Sequence, residues 1–151
     1  MPTLPRFLTI LIAIACFLFT NPAGAQHSVV TQGNGKLAIV NKLGDVEWEM
    51  KWGGIHDIHM LESGNILTRK GRNQVVEIDR KTKKIVWIYD SGNQNGNTGK
   101  SVEVHAFQPL DNGNMMIAES GVARIIEVDR EGKLLKEVKL TVDNPHPHMD
   151  T

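Results

Sequence analysis

Residues 56–65 read HDIHMLESGN, and residues 105–114 repeat this pattern as HAFQPLDNGN. Each copy leads into a similar acidic strand, VVEIDR at residues 75–80 and IIEVDR at residues 125–130. The His, the Leu and the Gly-Asn pair recur after 49 residues, and the acidic strand recurs after 50. A constant period in this range is typical of stacked or radially repeated units. We therefore expect a repeat protein.

Short strand-like runs surround both copies. They are rich in β-branched residues, Gly, Asn and Asp separate them at hairpin spacing, and no segment keeps a 3.6-residue apolar period. Four antiparallel strands per unit is the layout of a propeller blade. The expected strands of two full units are residues 55–61, 65–69, 75–79 and 85–89, then 102–108, 115–119, 124–129 and 134–140. Three further strands precede them at residues 29–31, 37–41 and 46–50, and residues 144–151 resemble the start of another unit.

The predicted fold is all-β: a β-propeller of four-stranded antiparallel blades in an incomplete ring, with about two full blades plus parts. A closed propeller has about four to eight blades. Bare sheet edges at both ends would favour self-association. Either the sequence is a fragment of a longer propeller or several copies close a ring. The fragment interpretation is favoured because the sequence stops in mid-motif, and the isolated chain is not expected to be a stable monomer.

The first 25 residues are expected to be a secretory signal peptide. An apolar run covers residues 7–19, and Ala-Gly-Ala at residues 23–25 supplies a cleavage site before Gln26. The run is too short to span a bilayer as a stable helix, so no transmembrane segment is expected after cleavage. The sequence thus predicts a signal peptide at residues 1–25, propeller blades at residues 26–151, and a secreted or periplasmic protein.

Composition narrows the classes of partner. The chain has 17 Lys and Arg residues against 17 Asp and Glu residues. Near-neutrality without a basic stripe argues against nucleic acid and against an anionic membrane surface. The expected partner is an unidentified small molecule or protein. Cys16 is the only cysteine and lies in the apolar run. Its lipidation is a less favoured alternative, and no disulfide is expected.

The segment EIDRKTKKIVW at residues 77–87 resembles the tryptophan-docking repeat of quinoprotein-like, or PQQ-repeat-like, β-propellers. In that repeat an Asp, a Thr-Gly-Lys turn and an outer-strand Trp lock neighbouring blades. Lys83 stands where the family usually has Gly, and Lys136 stands at the Trp position of the last copy. The resemblance implies blade-docking roles for four residues, Trp48, Trp87, Asp79 and Asp129.

Three histidines are candidates for lining the central channel. His56 and His105 hold equivalent positions on the expected innermost strands, and His148 lies in the expected start of a further unit. A neutral imidazole could bind a ligand or a metal in the channel. The favoured interpretation is that each His bonds a neighbouring loop and ties its blade to the next, and the channel-facing role is the alternative. No metal site is predicted, because residues three apart on a strand, such as His56 and His59, point to opposite faces.

The favoured function is a scaffold that binds a ligand or a partner at the central channel. The alternative is an enzyme with its site there, of arylsulfotransferase-like or quinoprotein type, because the His-x4-Leu-x2-Gly-Asn element also resembles arylsulfotransferase-like propellers. Such a transferase would use a channel His as nucleophile and basic neighbours to hold the sulfuryl group. The flanking residues of the two histidines, Ile55 and Asp57, then Val104 and Ala106, include no Arg or Lys.

No cofactor is evident from the residues. PQQ is suggested as a cofactor only by the family resemblance. The adjacent-cysteine disulfide and the calcium site of PQQ-dependent dehydrogenases are not found in the sequence. Binding is favoured over catalysis for this fragment, and the enzyme alternative stays open.

Overall fold

The computed structural model describes residues 27–54 and 56–141. The expected signal peptide and the expected further unit at residues 144–151, with His148, lie outside the described residues. In the described part of the chain, no helix is long and apolar enough to cross a membrane. Its strands are β1 Val29–Gly33, β2 Lys36–Val40, β3 Val46–Lys51, β4 Ile58–Met60, β5 Ile66–Lys70, β6 Gln74–Asp79, β7 Lys84–Asp90, β8 Glu103–Pro109, β9 Met115–Ser120, β10 Arg124–Val128 and β11 Leu134–Lys139.

These strands form three separate antiparallel sheets, each a simple meander. Blade A is β1–β2–β3, blade B is β4–β5–β6–β7, and blade C is β8–β9–β10–β11. The predicted all-β fold and the incomplete propeller with two full blades plus parts are confirmed. The strand expected at residues 55–61 is shorter, covering only Ile58–Met60, so that His56 precedes β4 instead of lying on it.

Blades A and B pack face to face through one apolar cluster, called here seam A–B. Its fully buried members are Leu37 and Ile39 from blade A and Ile66, Val76 and Ile78 from blade B. Burying a side chain of this size contributes about 1.5–3 kcal/mol. The seam therefore holds the two sheets together.

The opposite face of blade B packs on blade C in a second cluster, called here seam B–C. Leu67 and Val75 of blade B meet Phe107, Ile117 and other buried side chains of blade C there. Ile66 and Leu67 are neighbours on β5, and successive side chains of a strand point to opposite faces. This is why β5 is buried along a continuous run of residues and not at alternate positions.

The segment between blades B and C, residues 91–100, is polar in sequence, a composition typical of a flexible surface loop. It has no strand, but Ser91 and Asn97 are fully buried. Both bind the carboxylate of Glu119, which is also fully buried: Ser91 Oγ donates at 2.7 Å and Asn97 Nδ2 at 3.0 Å. Arg124 Nε donates to the same carboxylate at 2.6 Å. A buried charge needs such partners, and the loop supplies them.

The same loop is also anchored through Asn95. Its side-chain amide donates to the Tyr89 hydroxyl and to the Gly132 carbonyl, both at 3.0 Å. Burial raises the pKa of Tyr89 to about 12, so the hydroxyl stays protonated. The guanidinium of Arg124 donates to the Asn95 carbonyl at 3.0 Å. The loop is therefore a connector that joins blade B to blade C.

Candidate functional site

The two repeat histidines converge at the inner strands, which line the central channel of a propeller. His56 lies just before β4, and His105 lies on β8. Their ring centroids are 6.4 Å apart, with the ring planes at 70°. Both residues are partly buried. Equivalent positions in successive blades thus bring two imidazoles into one place, at the edge of seam B–C.

Arg69 joins these histidines from β5. Its Nη2 contacts His56 Nε2, while its Nη1 donates to the Val104 carbonyl at 2.8 Å. A guanidinium only donates hydrogen bonds, so His56 Nε2 acts as the acceptor and the proton of the neutral ring lies on Nδ1. The Arg69 side chain is only 9% exposed. This contact fixes the orientation of the His56 ring.

Glu103 completes the group on the side of His105. Its carboxylate accepts from Arg69 Nη1 at 3.3 Å, lies 3.3 Å from Arg72 Nε, and lies 3.8 Å from His105 Nε2. Burial alone would raise the pKa of Glu103, but His105, Arg72 and Arg69 together hold it below its ordinary value. The set of His56, His105, Arg69, Arg72 and Glu103 is called here the channel cluster.

His56 is held in its neutral form by its surroundings. Burial, Arg69 and His105, in that order, lower its pKa below the ordinary value of 6.5. At neutral pH the ring therefore carries no charge. Its Nε2 accepts a hydrogen bond from the Arg69 guanidinium, so the positive charge at this place belongs to Arg69.

His59 and Asp57 do not join the channel cluster. The His59 ring packs on Phe107 with centroids 5.4 Å apart, and the Asp57 carboxylate accepts the Phe107 backbone N–H at 3.1 Å. Both residues therefore join blade B to blade C. Within the described residues, no group of three His, Cys, Asp or Glu side chains is arranged to hold a metal.

The two repeat tryptophans make matching contacts with the next blade. Trp48 Nε1 donates to the Arg80 carbonyl at 2.8 Å, and Trp87 Nε1 donates to the Arg130 carbonyl at 2.6 Å. A cation lies over each ring: Lys83 at 5.5 Å from the Trp48 centroid and Arg130 at 4.3 Å from that of Trp87. This geometry is what a blade-docking role requires.

The two repeat aspartates bind the turns that receive these tryptophans. Asp79 Oδ1 accepts from the Thr82 backbone N–H at 2.6 Å and from its hydroxyl at 2.8 Å. Asp129 Oδ1 accepts from the backbone N–H groups of Glu131 and Lys133 at 3.1 and 2.8 Å. Each aspartate therefore shapes the turn whose carbonyl the Trp of the preceding blade contacts.

The asparagine of each Gly-Asn pair also has a cross-strand role, which was not predicted from the sequence. Asn65 Nδ2 donates to Glu77 Oε1 at 2.8 Å, and Asn114 Nδ2 donates to Glu127 Oε1 at 2.7 Å. Hydrogen bonds from Lys136 and then from Asn114 lower the pKa of Glu127 to about 2. The signal was available, because both the Asn and the Glu recur in each repeat.

Arg69, Arg72 and Glu103 were missed for a different reason. They lie outside the repeat pattern: the residue 49 positions after Arg69 is Ala118. No symmetry argument could therefore select Arg69. Only the packing of β5 beside β8 shows that a guanidinium lies next to His56.

Comparison with known proteins agrees with this architecture. The family model described as outer membrane protein assembly factor BamB, a PQQ-repeat family, matches residues 25–146. The expected resemblance to PQQ-repeat propellers is thereby confirmed. No curated protein matches the sequence significantly.

Two solved structures share the fold. One is a protein of unknown function from Bacteroides caccae, 14% identical, with a TM-score of 0.51 over 79% of this chain and 44% of that chain. The other is a streptogramin B lyase, also 14% identical with a TM-score of 0.51, over 80% of this chain and 42% of that chain. The chain thus spans less than half the length of either structure.

Proposed function

Since the chain belongs to the family of the outer membrane protein assembly factor BamB, we propose that it is a secreted or periplasmic scaffold that binds a ligand or partner at the channel cluster. The family is typically periplasmic or extracellular, which supports this location. The proposed ligand is an acidic group of a small molecule or protein segment.

The observation that carries the proposal is the convergence of polar side chains at the inner edge of an otherwise apolar seam. The His105 imidazole and the guanidinium groups of Arg69 and Arg72 surround a single carboxylate, that of Glu103. The His56 imidazole lies against Arg69 and His105. Burying such groups costs free energy unless they are paired, and seams A–B and B–C show that apolar side chains suffice to join blades. The Arg72 side chain is 55% exposed, which leaves it accessible to an acidic ligand.

Sulfate provides a simple probe of this site. Ring resonances of His56 and His105 are expected to shift saturably in NMR spectra as sulfate replaces chloride at constant ionic strength, while the exposed His27 does not respond. Removing one charge-assisted hydrogen bond, worth about 1.5–3 kcal/mol, lowers affinity by tenfold or more. Arg72→Ala is therefore expected to weaken sulfate binding, and Arg80→Ala, a matched charge change on an outer turn, to leave it unchanged. Equal shifts of all histidines, or none, would contradict the site.

A second candidate function is sulfuryl transfer, and one observation favours it. The sequence neighbours of His56 offer no cation, yet Arg69 lies directly against its Nε2. In this reaction the Arg69 guanidinium would leave Nε2 and bind the sulfuryl oxygens, which frees the Nε2 lone pair. A bond then forms between that nitrogen and sulfur as the bond from sulfur to the donor's aryl oxygen breaks, and the aryl oxygen leaves as a phenolate. An acceptor phenol gives its proton to the phenolate, takes the sulfuryl group and restores the imidazole.

The two candidates are separated by turnover. With 4-nitrophenyl sulfate as donor and phenol as acceptor, transfer releases coloured 4-nitrophenolate. His56→Ala is expected to abolish this release and His27→Ala to preserve it. Saturable sulfate binding without release of 4-nitrophenolate would support the binding scaffold and exclude the transferase.

A further inference from the structure

A cleft opens between blades A and B, at the end of the blades where the β1–β2 and β5–β6 turns lie. It has a volume of about 670 Å³, and its walls are these two turns and the segment that follows β3. Sites for small molecules commonly measure about 300–1,000 Å³. The cleft, called here the lysine cleft, is therefore large enough to hold a small molecule.

Trp52 forms a flat apolar wall of the lysine cleft. Its indole packs against the buried cluster of seam A–B, and its Nε1 donates to the Arg69 carbonyl at 3.0 Å. Its backbone N–H donates to the Gly35 carbonyl at 2.9 Å. These contacts hold the ring in one orientation, so a ligand that stacks on it loses little freedom of the protein.

The indole of Trp52 differs from the two docking indoles in what covers it. Lys83 lies over the ring of Trp48, and Arg130 lies over that of Trp87. Among the residues that the structure describes, no cation and no second aromatic ring lies over Trp52. The part of this indole that lines the cleft is therefore available to stack with a flat aromatic ligand.

Three lysines line the cleft, and its described lining includes no acidic residue. Lys36 and Lys51 are directly opposite each other on β2 and β3, a destabilising arrangement for like charges. Lys36 Nζ is paired with the two carboxylate oxygens of Glu49 at 2.9 and 2.8 Å. Within residues 27–54 and 56–141, Lys51 and Lys70 form no ion pair. The cleft therefore keeps two positive charges without an acidic partner.

Two backbone donors in the same wall add to this positive surface. The N–H groups of Gly53 and Gly54 donate to no other described residue, and both glycines are exposed. An added Cβ at Gly53 would meet nothing within 4 Å, so open space borders the backbone there. Unpaired backbone N–H groups are strong hydrogen-bond donors, and an anionic oxygen accepts from them readily.

We propose that the lysine cleft binds a small planar aromatic acid, with its ring against Trp52 and its acidic group near Lys51 and Lys70. A neutral ring would leave both lysine charges uncompensated, and a simple anion would leave the indole uncovered. A ligand that carries both features satisfies the whole lining. This site is separate from the channel cluster, and the proposal does not depend on the proposed function.

Titration with 2-naphthoate, followed by NMR, tests the proposal. The chain has three tryptophans, whose assigned indole N–H signals report on each ring separately. The Trp52 signal is expected to shift saturably, while those of Trp48 and Trp87 do not respond. 2-Naphthylmethanol keeps the ring without the acid, and acetate keeps the acid without the ring. Each is expected to bind about tenfold more weakly than 2-naphthoate.

Lysine variants test the contribution of charge. Lys51→Ala and Lys70→Ala are each expected to weaken naphthoate binding about two- to fivefold, because exposed ion pairs contribute little. Lys84→Ala, a matched charge change at the exposed start of β7, is expected to leave the affinity unchanged. Arg72→Ala, expected to weaken sulfate binding at the channel cluster, should also leave naphthoate binding unchanged. The two sites are thus measured independently.

The contrary results are distinct. Absence of a saturable shift, equal shifts of all three indole signals, or equal binding of 2-naphthylmethanol would each overturn the proposal. An effect of Lys84→Ala as large as that of Lys51→Ala would also overturn it. If a lysine variant fails to fold, the comparison of the three ligands on the parent protein still decides.

Discussion

Trp87→Ala is expected to be among the most destabilising single changes in seam B–C. The indole packs against the buried cluster of this seam. Its Nε1 donates to the Arg130 carbonyl at 2.6 Å, and the Arg130 guanidinium lies 4.3 Å from the ring centroid. One side chain thus supplies apolar contact, a hydrogen bond and a cation–π contact between two blades.

The magnitude follows from these three contributions. Trp87 is only partly buried, so about 100–150 Å² of apolar area at about 25 cal/mol per Å² contributes roughly 2.5–4 kcal/mol. The hydrogen bond adds about 1 kcal/mol, and the cation–π contact at this partly exposed position adds about 0.5–1 kcal/mol. Because neighbouring side chains relax around the gap, we expect a net loss of about 3–5 kcal/mol in the free energy of unfolding.

Urea denaturation followed by circular dichroism, at one protein concentration, measures this loss. Trp87→Phe keeps most of the apolar contact and is expected to cost about 1–2 kcal/mol. Val86→Ala is the control, because Val86 is 55% exposed on the same strand and is expected to cost under about 1 kcal/mol. A Trp87→Ala loss no larger than that of Val86→Ala would refute the docking role.

Trp52 provides a second comparison for the same role. It also donates to a carbonyl of the next blade, from its Nε1 to Arg69 O at 3.0 Å, a contact that the repeat pattern did not predict. Trp87→Ala is still expected to cost more than Trp52→Ala, because Trp87 has the cation over its ring and the larger cluster beneath it. Equal losses in the urea midpoint would show that the docking position has no special importance.

Two further predictions concern a crowded glycine and an acidic strand. Gly121→Ala is expected to destabilise by at least about 2 kcal/mol more than Gly113→Ala. Both glycines have φ near +84°, so the backbone strain of the substitution is the same at the two positions. At Gly121, however, the added Cβ would lie 2.0 Å from the backbone oxygen of Ser101, whereas at Gly113 it would meet open space. Equal urea midpoints of the two variants would contradict the prediction. Because the pKa of Glu127 is lowered from 4.5 to about 2, its stabilising contacts are complete above pH 4.5 and are lost as the pH falls towards 2. Glu127→Gln should therefore lose less stability than the parent across that range, and melting curves with the same slope against pH would contradict the prediction.

The repeat period determined the blade architecture from sequence alone. Equivalent residues recur in successive blades because each blade packs against the next through the same kinds of side chain. The recurring pairs are His56 and His105, Trp48 and Trp87, and Asp79 and Asp129. Contacts within a blade or between equivalent positions of adjacent blades follow from that symmetry. The sheets could therefore be predicted from the repeat, and the docking positions of Trp48 and Trp87 from the resemblance to PQQ-repeat propellers.

The tertiary structure decided the contacts that break the symmetry. Arg69 reaches His56 although the equivalent residue of the next repeat is Ala118, and Asn97 turns inward to Glu119 although its segment is uniformly polar. Both contacts join residues that are distant in sequence, and their geometry depends on how two sheets are rotated against each other. A periodic sequence pattern does not determine that rotation. The contacts of the channel cluster could therefore be identified only from the packing of the blades.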